Sequence, residues 1–400
     1  MTAAVIGASS ESIYAIQKAK ELGLEVVALD GNPEAPGLKA ADASFVVDIR
    51  KPDEVIKVLE KYDIKLVLPV PIGRYLTTTG AVNDHFGLPG VSLAAAELST
   101  DKYEFHRVLA EKGLRDAELY LIRQGECDSD VSELNIMYPV VVKPRYGSGS
   151  RGVEIFDSPK ALADGFIAGE PYDEDYVVES CIPGPEYGVD GVFVNGKFKL
   201  ILLRGKRNTP PPYRECVGYY AVSDSPEDRT FVENVKKHMQ AVGKALGFEN
   251  NVVHADIIRR EGDKPFLIET SARPSGHNLH NLFTPMASGV DEVSEFIKAS
   301  VPELGLKASF EPSESKMMMI RYFDFENVRI GNVPAESYIK EKYPVKAWQC
   351  NLERGMVPGK VIDGHSLMTR GYFIVEADSL TELEDLCDRI KSEFQPEELK

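Results

Sequence analysis

A β-rich run followed by a cluster of glycines stands in the middle third of the chain: Tyr138-Pro-Val-Val-Val-Lys-Pro-Arg-Tyr-Gly-Ser-Gly-Ser-Arg-Gly-Val153. The glycines at positions 147, 149 and 152 have no Cβ, so backbone N–H groups there can turn toward an anion. Lys143 and Arg151 supply positive charge for phosphate oxygens. The stretch is not a Walker loop, because no Gly-Lys-Ser/Thr opens a helix. Strand patterns flank it, so it either folds over a nucleotide or is a plain glycine-rich hairpin.

Two further stretches carry groups that suit a nucleotide. Ser99-Thr-Asp-Lys102 stands at the start of a predicted helix, Thr100–Lys112, where the lysine either binds phosphate or is a solvated surface residue. The segment from Val177 to Glu186 begins as a strand and is broken by Pro-Gly-Pro. Backbone beside such a break can contact an adenine edge, and Glu186 can accept from ribose hydroxyls. The alternative is an ordinary strand–turn–strand.

Two carboxylates lie on neighbouring strand patterns further along the chain. The alternation of a strand places His254 and Asp256 on one face. Glu269 ends the next predicted strand, and a pairing around Gly262-Asp263 would bring both carboxylates together. Two hard oxygen ligands plus triphosphate oxygens make a magnesium site. Zinc fits less well, because the seven histidines are scattered.

The segment upstream of these elements, residues 3–90, alternates short apolar strands with amphipathic helices, the first of which is predicted over Glu11–Leu22. This order predicts a parallel sheet with right-handed crossovers. The Gly7–Ser10 turn lacks the full G-x-G-x-x-G of a dinucleotide site, although Asp30 stands where such a site contacts ribose. The turn is therefore a tight βα connection with a helix N-cap, or it holds a non-nucleotide substrate.

The segment downstream of the glycine cluster changes to short strands joined by turns. Asn195-Gly196 indicates a hairpin between the strands Tyr187–Val194 and Lys197–Arg204. A long helix is predicted over Pro226–Leu246, and the last ninety or so residues have an α+β pattern that ends in the helix Leu380–Phe394.

The composition is that of an ordinary globular protein, with 400 residues, 43% apolar and 27% charged. Its net charge of −17 argues against a non-specific binder of nucleic acid or anionic membranes, while local basic residues can still bind ATP. Five scattered cysteines without a C-x-x-C pair argue against a disulfide framework or a cysteine zinc site. No signal-peptide pattern and no apolar run of about 18 residues occurs, so we expect a cytoplasmic protein.

The four elements, in their order along the chain, resemble the ATP-grasp superfamily, and most closely carboxylate–amine ligases of the L-amino-acid-ligase and phosphoribosylglycinamide-synthetase kind. The resemblance covers nearly the whole chain. It implies an α/β and α+β multidomain protein with a Rossmann-like pre-ATP-grasp domain over residues 1–95. An ATP-grasp core would follow over 96–310, with a mobile β-rich lid over about 116–190, and a C-terminal α+β domain over 311–400.

The resemblance also implies roles for individual residues. Phosphates would be held by Lys102 and Lys143, under a flap formed by Gly147, Ser148, Gly149, Ser150 and Gly152. Adenine would meet Glu179 and the backbone of Cys181 and Ile182, and ribose would meet Glu186. Magnesium, or manganese in its place, would be bound by Asp256, Glu269 and Ser271. The family usually has Asn at the last position, and a hydroxyl is a poorer metal ligand than an amide oxygen. Arg273 would stabilise the transferring phosphoryl group and the acyl-phosphate.

The segment from Leu203 to Gly218 resembles a loop of amino-acid ligases, K…P-[FY]-x-E-x-G-H. Lys206 and Glu215 match it and are candidate catalytic residues, whereas Tyr219 stands where histidine is common, which leaves the acceptor open. The alternative is a polar, proline-rich surface loop. Arg321 is either a ligand for a substrate carboxylate or, as we favour, a structural residue.

The implied function is an ATP-dependent ligase that activates a carboxylate as an acyl-phosphate and joins it to an amine, giving ADP and phosphate. Its partners would be small-molecule substrates, amino acids being favoured, with no nucleic acid and no membrane. A homodimer is the commonest soluble assembly, but the oligomeric state stays open. Alternatives are a ligase or carboxylase acting on a nucleotide precursor or bicarbonate, and a non-catalytic ATP-binding module. A nicotinamide oxidoreductase would rest on the N-terminal turn alone.

Overall fold

The computed structural model describes residues 1–124, 136–147, 152–166, 174–210, 215–222, 225–361 and 364–399. The chain divides into two compact units. Unit 1 comprises Met1–Asp116, Gly188–Leu203 and Arg229–Glu314. Unit 2 comprises Ala117–Tyr187, Arg204–Asp228 and Ser315–Lys400. The domain boundaries expected near residues 95 and 310 stay predictions.

The strands are β1 (Thr2–Ile6), β2 (Glu25–Asp30), β3 (Ala43–Val46), β4 (Ile64–Val67), β5 (Leu119–Ile122), β6 (Val140–Pro144), β7 (Glu154–Phe156), β8 (Tyr176–Ser180), β9 (Glu186–Val194), β10 (Lys197–Asn208), β11 (Cys216–Ala221), β12 (Asn251–Arg260), β13 (Lys264–Ser271), β14 (Met318–Tyr322), β15 (Val328–Arg329), β16 (Val345–Cys350), β17 (Gly371–Glu376) and β18 (Glu397–Glu398).

The α-helices are α1 (Ile13–Glu21), α2 (Pro36–Ala40), α3 (Pro52–Leu59), α4 (Leu76–Phe86), α5 (Leu93–Thr100), α6 (Lys102–Glu111), α7 (Pro159–Phe166), α8 (Pro226–Leu246), α9 (Thr284–Ser288), α10 (Glu292–Ser300), α11 (Glu336–Lys342), α12 (Gly364–Met368) and α13 (Leu380–Ser392). Short 3₁₀ turns lie at Ser10–Ser12 and Pro302–Leu304, and a π-helical turn lies at Leu279–Phe283. Among the residues that the structure describes, every helix is too short or too polar to traverse a bilayer.

Unit 1 begins with a parallel sheet in the strand order β3-β2-β1-β4, as the strand–helix alternation predicted. All five residues of β1 are buried, which is typical of a parallel strand covered on both faces. The turn after β1 uses Gly7 at φ +86°. Asp30 at the end of β2 accepts hydrogen bonds from the Ala8 N–H at 2.7 Å and the Asn32 N–H at 2.8 Å. The Asp30 carboxylate therefore shapes this turn, which favours the tight-connection interpretation.

The second sheet of unit 1 has the strand order β13-β12-β9-β10. Helix α8 spans the residues predicted for it and buries Phe231, Val235, Met239, Val242 and Leu246 on one face. Position 243 on that face requires glycine, because a Cβ there would lie 2.1 Å from the ring of Phe193 on β9. The helix thus packs directly on the sheet.

Unit 2 contains the antiparallel sheet β5-β8-β6-β7 and the strand order β10-β11-β14-β17-β16. Strand β10 continues to Asn208, four residues beyond the end predicted at Arg204. The charged run after Leu203 looked like a loop, but Arg204 is fully buried and its guanidinium stacks 4.8 Å from the ring centroid of Tyr219. Cation–π stacking and ladder pairing with β11 make a strand of this polar segment.

Two helix starts differ from the prediction. Helix α6 is capped by Asp101, whose carboxylate accepts from the Tyr103 and Glu104 N–H groups, whereas Ser99 and Thr100 end helix α5. The helix expected from Glu11 begins as a 3₁₀ turn, and α1 starts at Ile13. Cys181, Cys216, Cys350 and Cys387 form no disulfide, and Cys127 lies outside the described residues.

Phe323 lies in the aromatic core of unit 2 and tests how much that core contributes to stability. Its ring is fully buried and packs edge-on to Trp348 with centroids 5.4 Å apart. We expect Phe323→Ala to lower the free energy of unfolding by about 3–5 kcal/mol, because it leaves a cavity. Trp348 is the only tryptophan, so its fluorescence in a urea titration reports the unfolding of this unit.

The matched control is Val357→Ala, at an exposed position of the same unit. We expect it to change the unfolding free energy by less than about 0.5 kcal/mol. An equal loss in both variants would contradict the packing assignment.

Candidate functional site

Asp256 and Glu269 lie opposite each other on the antiparallel strands β12 and β13 of unit 1, and His254 lies opposite Ser271. Directly opposed residues project from the same face with Cβ atoms about 4.5–5.5 Å apart. The register shifts just after Asp256, where β13 carries one extra residue. Such a bulge redirects side chains locally. The strand pairing expected from the sequence is therefore present, and it brings the two carboxylates together.

This pair of carboxylates suits magnesium. Within the described ranges no group of three or more His, Cys, Asp and Glu residues could hold a metal ion. Magnesium commonly takes one or two carboxylates and completes its octahedron with phosphate oxygens and water, so Asp256 and Glu269 fit it. A closed zinc site would need four protein ligands and does not fit. The metal roles of Asp256, Glu269 and Ser271 stay predictions.

Arg273 follows the end of β13 by two residues and remains a predicted phosphoryl-binding group. Its Nη1 donates to the Pro274 carbonyl at 2.8 Å. Its Nε is buried and has no hydrogen-bond partner among the described residues. A buried donor without a partner costs about 1–3 kcal/mol, and a bound anion would remove that cost.

Lys143 and Glu179 form a buried ion pair in unit 2. The Lys143 Nζ lies 2.5 Å from a Glu179 carboxylate oxygen, and both side chains are almost entirely buried. Strands β6 and β8 pair antiparallel, with Val141 opposite Glu179 and Lys143 opposite Val177. The register therefore places the two candidates on one face. The resemblance implied separate roles for them at phosphate and adenine, and the structure adds that each neutralises the other.

The two described glycines at the ends of the predicted flap have positive φ. Gly147 has φ +145° and Gly152 has φ +69°, and a Cβ on Gly152 would lie 3.0 Å from the Pro144 ring. A side chain at either position would be strained. Ser148, Gly149 and Ser150 lie outside the described residues, so their predicted contact with phosphate stays a prediction.

The strand end that would meet adenine has part of its backbone already engaged. The Cys181 N–H donates to the Pro139 carbonyl at 2.8 Å. The Cys181 N–H is therefore already engaged, and the adenine contacts expected of Glu179 and of the Cys181 and Ile182 backbone stay predictions. Pro183 follows and has no N–H to offer.

A second acid–base contact in unit 2 joins Lys206, a candidate catalytic residue, and Glu186, the candidate ribose contact. The Lys206 Nζ lies 4.0 Å from the Glu186 carboxylate, and both side chains are mostly buried. Lys206 stands on strand β10, opposite Tyr219. On its described residues the Leu203–Gly218 segment is an antiparallel hairpin of β10 and β11, and residues 211–214, which hold two of its prolines, lie outside the described residues.

Glu215 is buried at the end of this hairpin, and its backbone N–H donates to the Thr209 hydroxyl at 2.9 Å. Its predicted catalytic role has no test in the structure.

Lys102 and Arg321 complete the candidate set. Lys102 is the first residue of α6 and is half-buried in unit 1. Arg321 in unit 2 donates from Nη1 to the Val217 carbonyl at 2.8 Å and from Nη2 to Asp324 at 2.6 Å. These partners support the structural interpretation of Arg321 over a substrate role.

Asp190 lies in the middle of β9, is fully buried, and is not among the residues expected from the sequence. A charged residue between apolar neighbours of a strand was the available signal, because buried carboxylates need partners. The Thr284 hydroxyl donates to Asp190 at 2.8 Å, and His254 lies 3.8 Å away.

Two family models match the chain, one for an ATP-grasp domain over residues 136–280 and one for a PylC-like N-terminal domain over residues 4–93. The region that matches the ATP-grasp domain carries every candidate named above except Lys102 and Arg321. The region that matches the PylC-like domain precedes it and includes most of the parallel sheet. The superfamily resemblance and the predicted fold class are confirmed.

The D-alanine–D-alanine ligase of Geobacter sulfurreducens is 37% identical to this chain over 118 residues, which are 28% of this chain and 37% of that protein. The crystal structure of L-amino acid ligase from Bacillus licheniformis aligns with a TM-score of 0.77 at 19% identity, covering 100% of this chain and 99% of that one. The crystal structure of phosphoribosylglycinamide synthetase from Anaerococcus prevotii aligns with a TM-score of 0.70 at 19% identity, covering 97% of each chain. At such identity these structures show the fold alone. The chain spans only 18–41% of the length of the curated relatives it matches.

Lys143→Met tests the predicted phosphate contact. We expect the variant to bind ADP and ATP about 10–100-fold more weakly, because a charge-assisted hydrogen bond is lost. Isothermal titration calorimetry with magnesium present measures this affinity. Lys160→Met, at an exposed position of the same unit, is the control and should bind normally. Unchanged affinity in Lys143→Met would count against the assignment.

His280 in unit 1 predicts a pH dependence of stability. It is fully buried, and burial lowers its pKa from 6.5 to about 4. Between these values the unfolded chain binds more protons than the folded one, so stability falls as the pH drops from 6.5 to 4. We expect the free energy of unfolding to have fallen by ~3 kcal/mol at pH 4 on account of His280.

His280→Leu should make the fall in stability toward low pH shallower, while His238, whose pKa is also lowered by burial, keeps its own share, and the stability at pH 7 should stay nearly unchanged. Urea titrations followed by far-ultraviolet circular dichroism between pH 4.5 and 7 measure it. His85→Gln, an exposed histidine of the same unit, is the control and should keep the wild-type slope. Parallel curves for wild type and His280→Leu would contradict the prediction.

Proposed function

We propose that this chain is an ATP-dependent carboxylate–amine ligase that acts on amino acids and forms an amide or peptide bond. The observation that carries the proposal is the β12–β13 hairpin of the ATP-grasp domain. It sets Asp256 opposite Glu269, and Arg273 follows with an unsatisfied buried donor. A carboxylate pair and a guanidinium are the groups needed beside a transferring phosphoryl group.

The reaction needs two steps, because a carboxylate has no usable leaving group toward an amine. First, a carboxylate oxygen attacks the γ-phosphorus of ATP, the bond to the ADP oxygen breaks, and an acyl-phosphate forms. The amine then attacks the acyl carbon, a C–N bond forms, phosphate leaves with its bonding electrons, and the amine loses a proton. When bound, magnesium supplies positive charge that offsets the charge of the triphosphate.

The residues of this chain would bind and orient the reactants. Lys102 and Lys143 would neutralise phosphate charge. Arg273 would stabilise the phosphoryl group during its transfer and in the acyl-phosphate. The flap framed by Gly147 and Gly152 would exclude water, which otherwise hydrolyses the acyl-phosphate. Lys206 and Glu215 would contact the acceptor. Positioning and charge neutralisation of this kind are the main contributions that enzymes make to phosphoryl transfer.

The decisive experiment measures ADP and phosphate release from Mg-ATP with amino acids supplied singly and in pairs, with mass spectrometry of the products. We expect release that depends on a pair, and a product mass equal to the sum of both less water. Glu269→Gln should reduce turnover at least ~100-fold while staying folded, because it removes a predicted metal ligand. Glu261→Gln, exposed at the turn of the same hairpin, should turn over normally.

Three outcomes would redirect the proposal. Near-wild-type turnover by Glu269→Gln would remove the metal assignment. ADP release with bicarbonate or with a ribosylamine nucleotide precursor, and none with amino acids, would move the substrate class to those alternatives. Nucleotide binding without turnover on any of these would indicate a non-catalytic ATP-binding module.

A further inference from the structure

We propose that His254 is a positioning residue that orients the Asp256 carboxylate toward the metal, and that Asp190 and Thr284 hold His254 in place. These side chains, the Asp190–His254 line, all belong to unit 1. The inference rests on the proposed function only in taking Asp256 as a metal ligand.

The buried end of the line is Asp190. It is fully buried on β9, where an isolated carboxylate would be strongly unfavourable. One of its oxygens, Oδ2, accepts from the Thr284 hydroxyl at 2.8 Å. The other oxygen, Oδ1, lies 3.8 Å from Nδ1 of His254. The orientation of the Asp190 carboxylate is thus fixed from one side and directed toward the imidazole on the other.

The imidazole of His254 stands between two carboxylates. Its Nδ1 is on the side of Asp190, and its Nε2 lies 3.7 Å from Oδ1 of Asp256. The ring is 12% exposed, so it has little freedom to turn away into solvent. Strand alternation places His254 and Asp256 on one face, and the neighbouring strand β9 supplies Asp190.

The line has a function that the strand pairing alone does not supply. Backbone register fixes the Cβ positions of Asp256 and Glu269, but the terminal torsion of an aspartate is broad and leaves the carboxylate plane undetermined. Metal sites commonly fix their ligands through a second set of hydrogen-bonding groups, whose loss costs about 10–100-fold in metal affinity or activity. His254 Nε2 lies 3.7 Å from Asp256 Oδ1, which is longer than a hydrogen bond, and a small closure of this gap would let His254 do this for Asp256.

The test compares His254→Phe, which keeps a flat ring without nitrogens, with His254→Gln, which keeps a polar donor. Manganese binding to the ADP-loaded protein is measured by the electron paramagnetic resonance signal of free Mn²⁺. We expect a roughly 10–100-fold weaker manganese Kd in His254→Phe and only a few-fold change in His254→Gln. His85→Gln is the control for a histidine of the same unit that lies on the surface, and Glu269→Gln is the positive control for a lost ligand.

Asp190→Asn gives a second route, since it retains volume and hydrogen bonding to Thr284 while weakening the contact with His254. We expect manganese affinity to fall in this variant too, which keeps the proposal testable if His254→Phe does not fold. Wild-type manganese affinity in His254→Phe, or equal loss in His254→Phe and His254→Gln, would overturn the inference, and so would a wild-type protein that binds no manganese. If the wild-type protein binds manganese but joins no carboxylate to an amine, the proposed function would be wrong and the inference about His254 would stand.

Discussion

The antiparallel register between β12 and β13 is the constraint on which the candidate site depends. A slip of one residue would send Asp256 and Glu269 to opposite faces of the sheet. The turn holds the register, since Gly262 and Asp263 adopt φ of +72° and +58°, a geometry that glycine and aspartate tolerate best. The bulge after Asp256 then sets the final alignment of the pair. The predicted metal ligands, Arg273 and His254 take their positions from this hairpin, while Asp190 approaches His254 from the neighbouring strand β9.

Much of this arrangement could be predicted from the sequence because it depends on local patterns. The alternation of strands and helices in the first ninety residues predicted the parallel sheet. Turn chemistry at Gly262-Asp263 and period-two alternation predicted the hairpin and the facing carboxylates. The helix over Pro226–Leu246 followed from its apolar spacing and starts and ends where expected. Each of these features depends on residues that are close together in the sequence.

The features that escaped prediction depend on residues distant in the chain. The Lys206–Glu186 contact and the approach of His254 to Asp190 join different strands. The sequence around each residue does not indicate which distant residue it contacts. Strand β10 extends past Arg204 because Tyr219 stacks on that guanidinium, which turns a charged run into an interior one. The bulge in β13 also leaves no clear trace in sequence, since Ile268 suits a regular strand equally well. Burial and pairing decided these points, and local propensity did not.

Each unit is assembled from three separate segments of chain, and this order has a consequence for biosynthesis. The segment Met1–Asp116 of unit 1 is made well before Arg229–Glu314, which holds both metal-binding candidates. At about 5–20 residues per second, the earlier segment waits roughly ten to forty seconds for the later one to leave the ribosome. The parallel sheet can form throughout that interval, whereas the β12–β13 hairpin can form only after residue 271 has been translated. Of the two units, the one that carries both carboxylates is the first to emerge in part, and it stays incomplete until residue 314 has been translated.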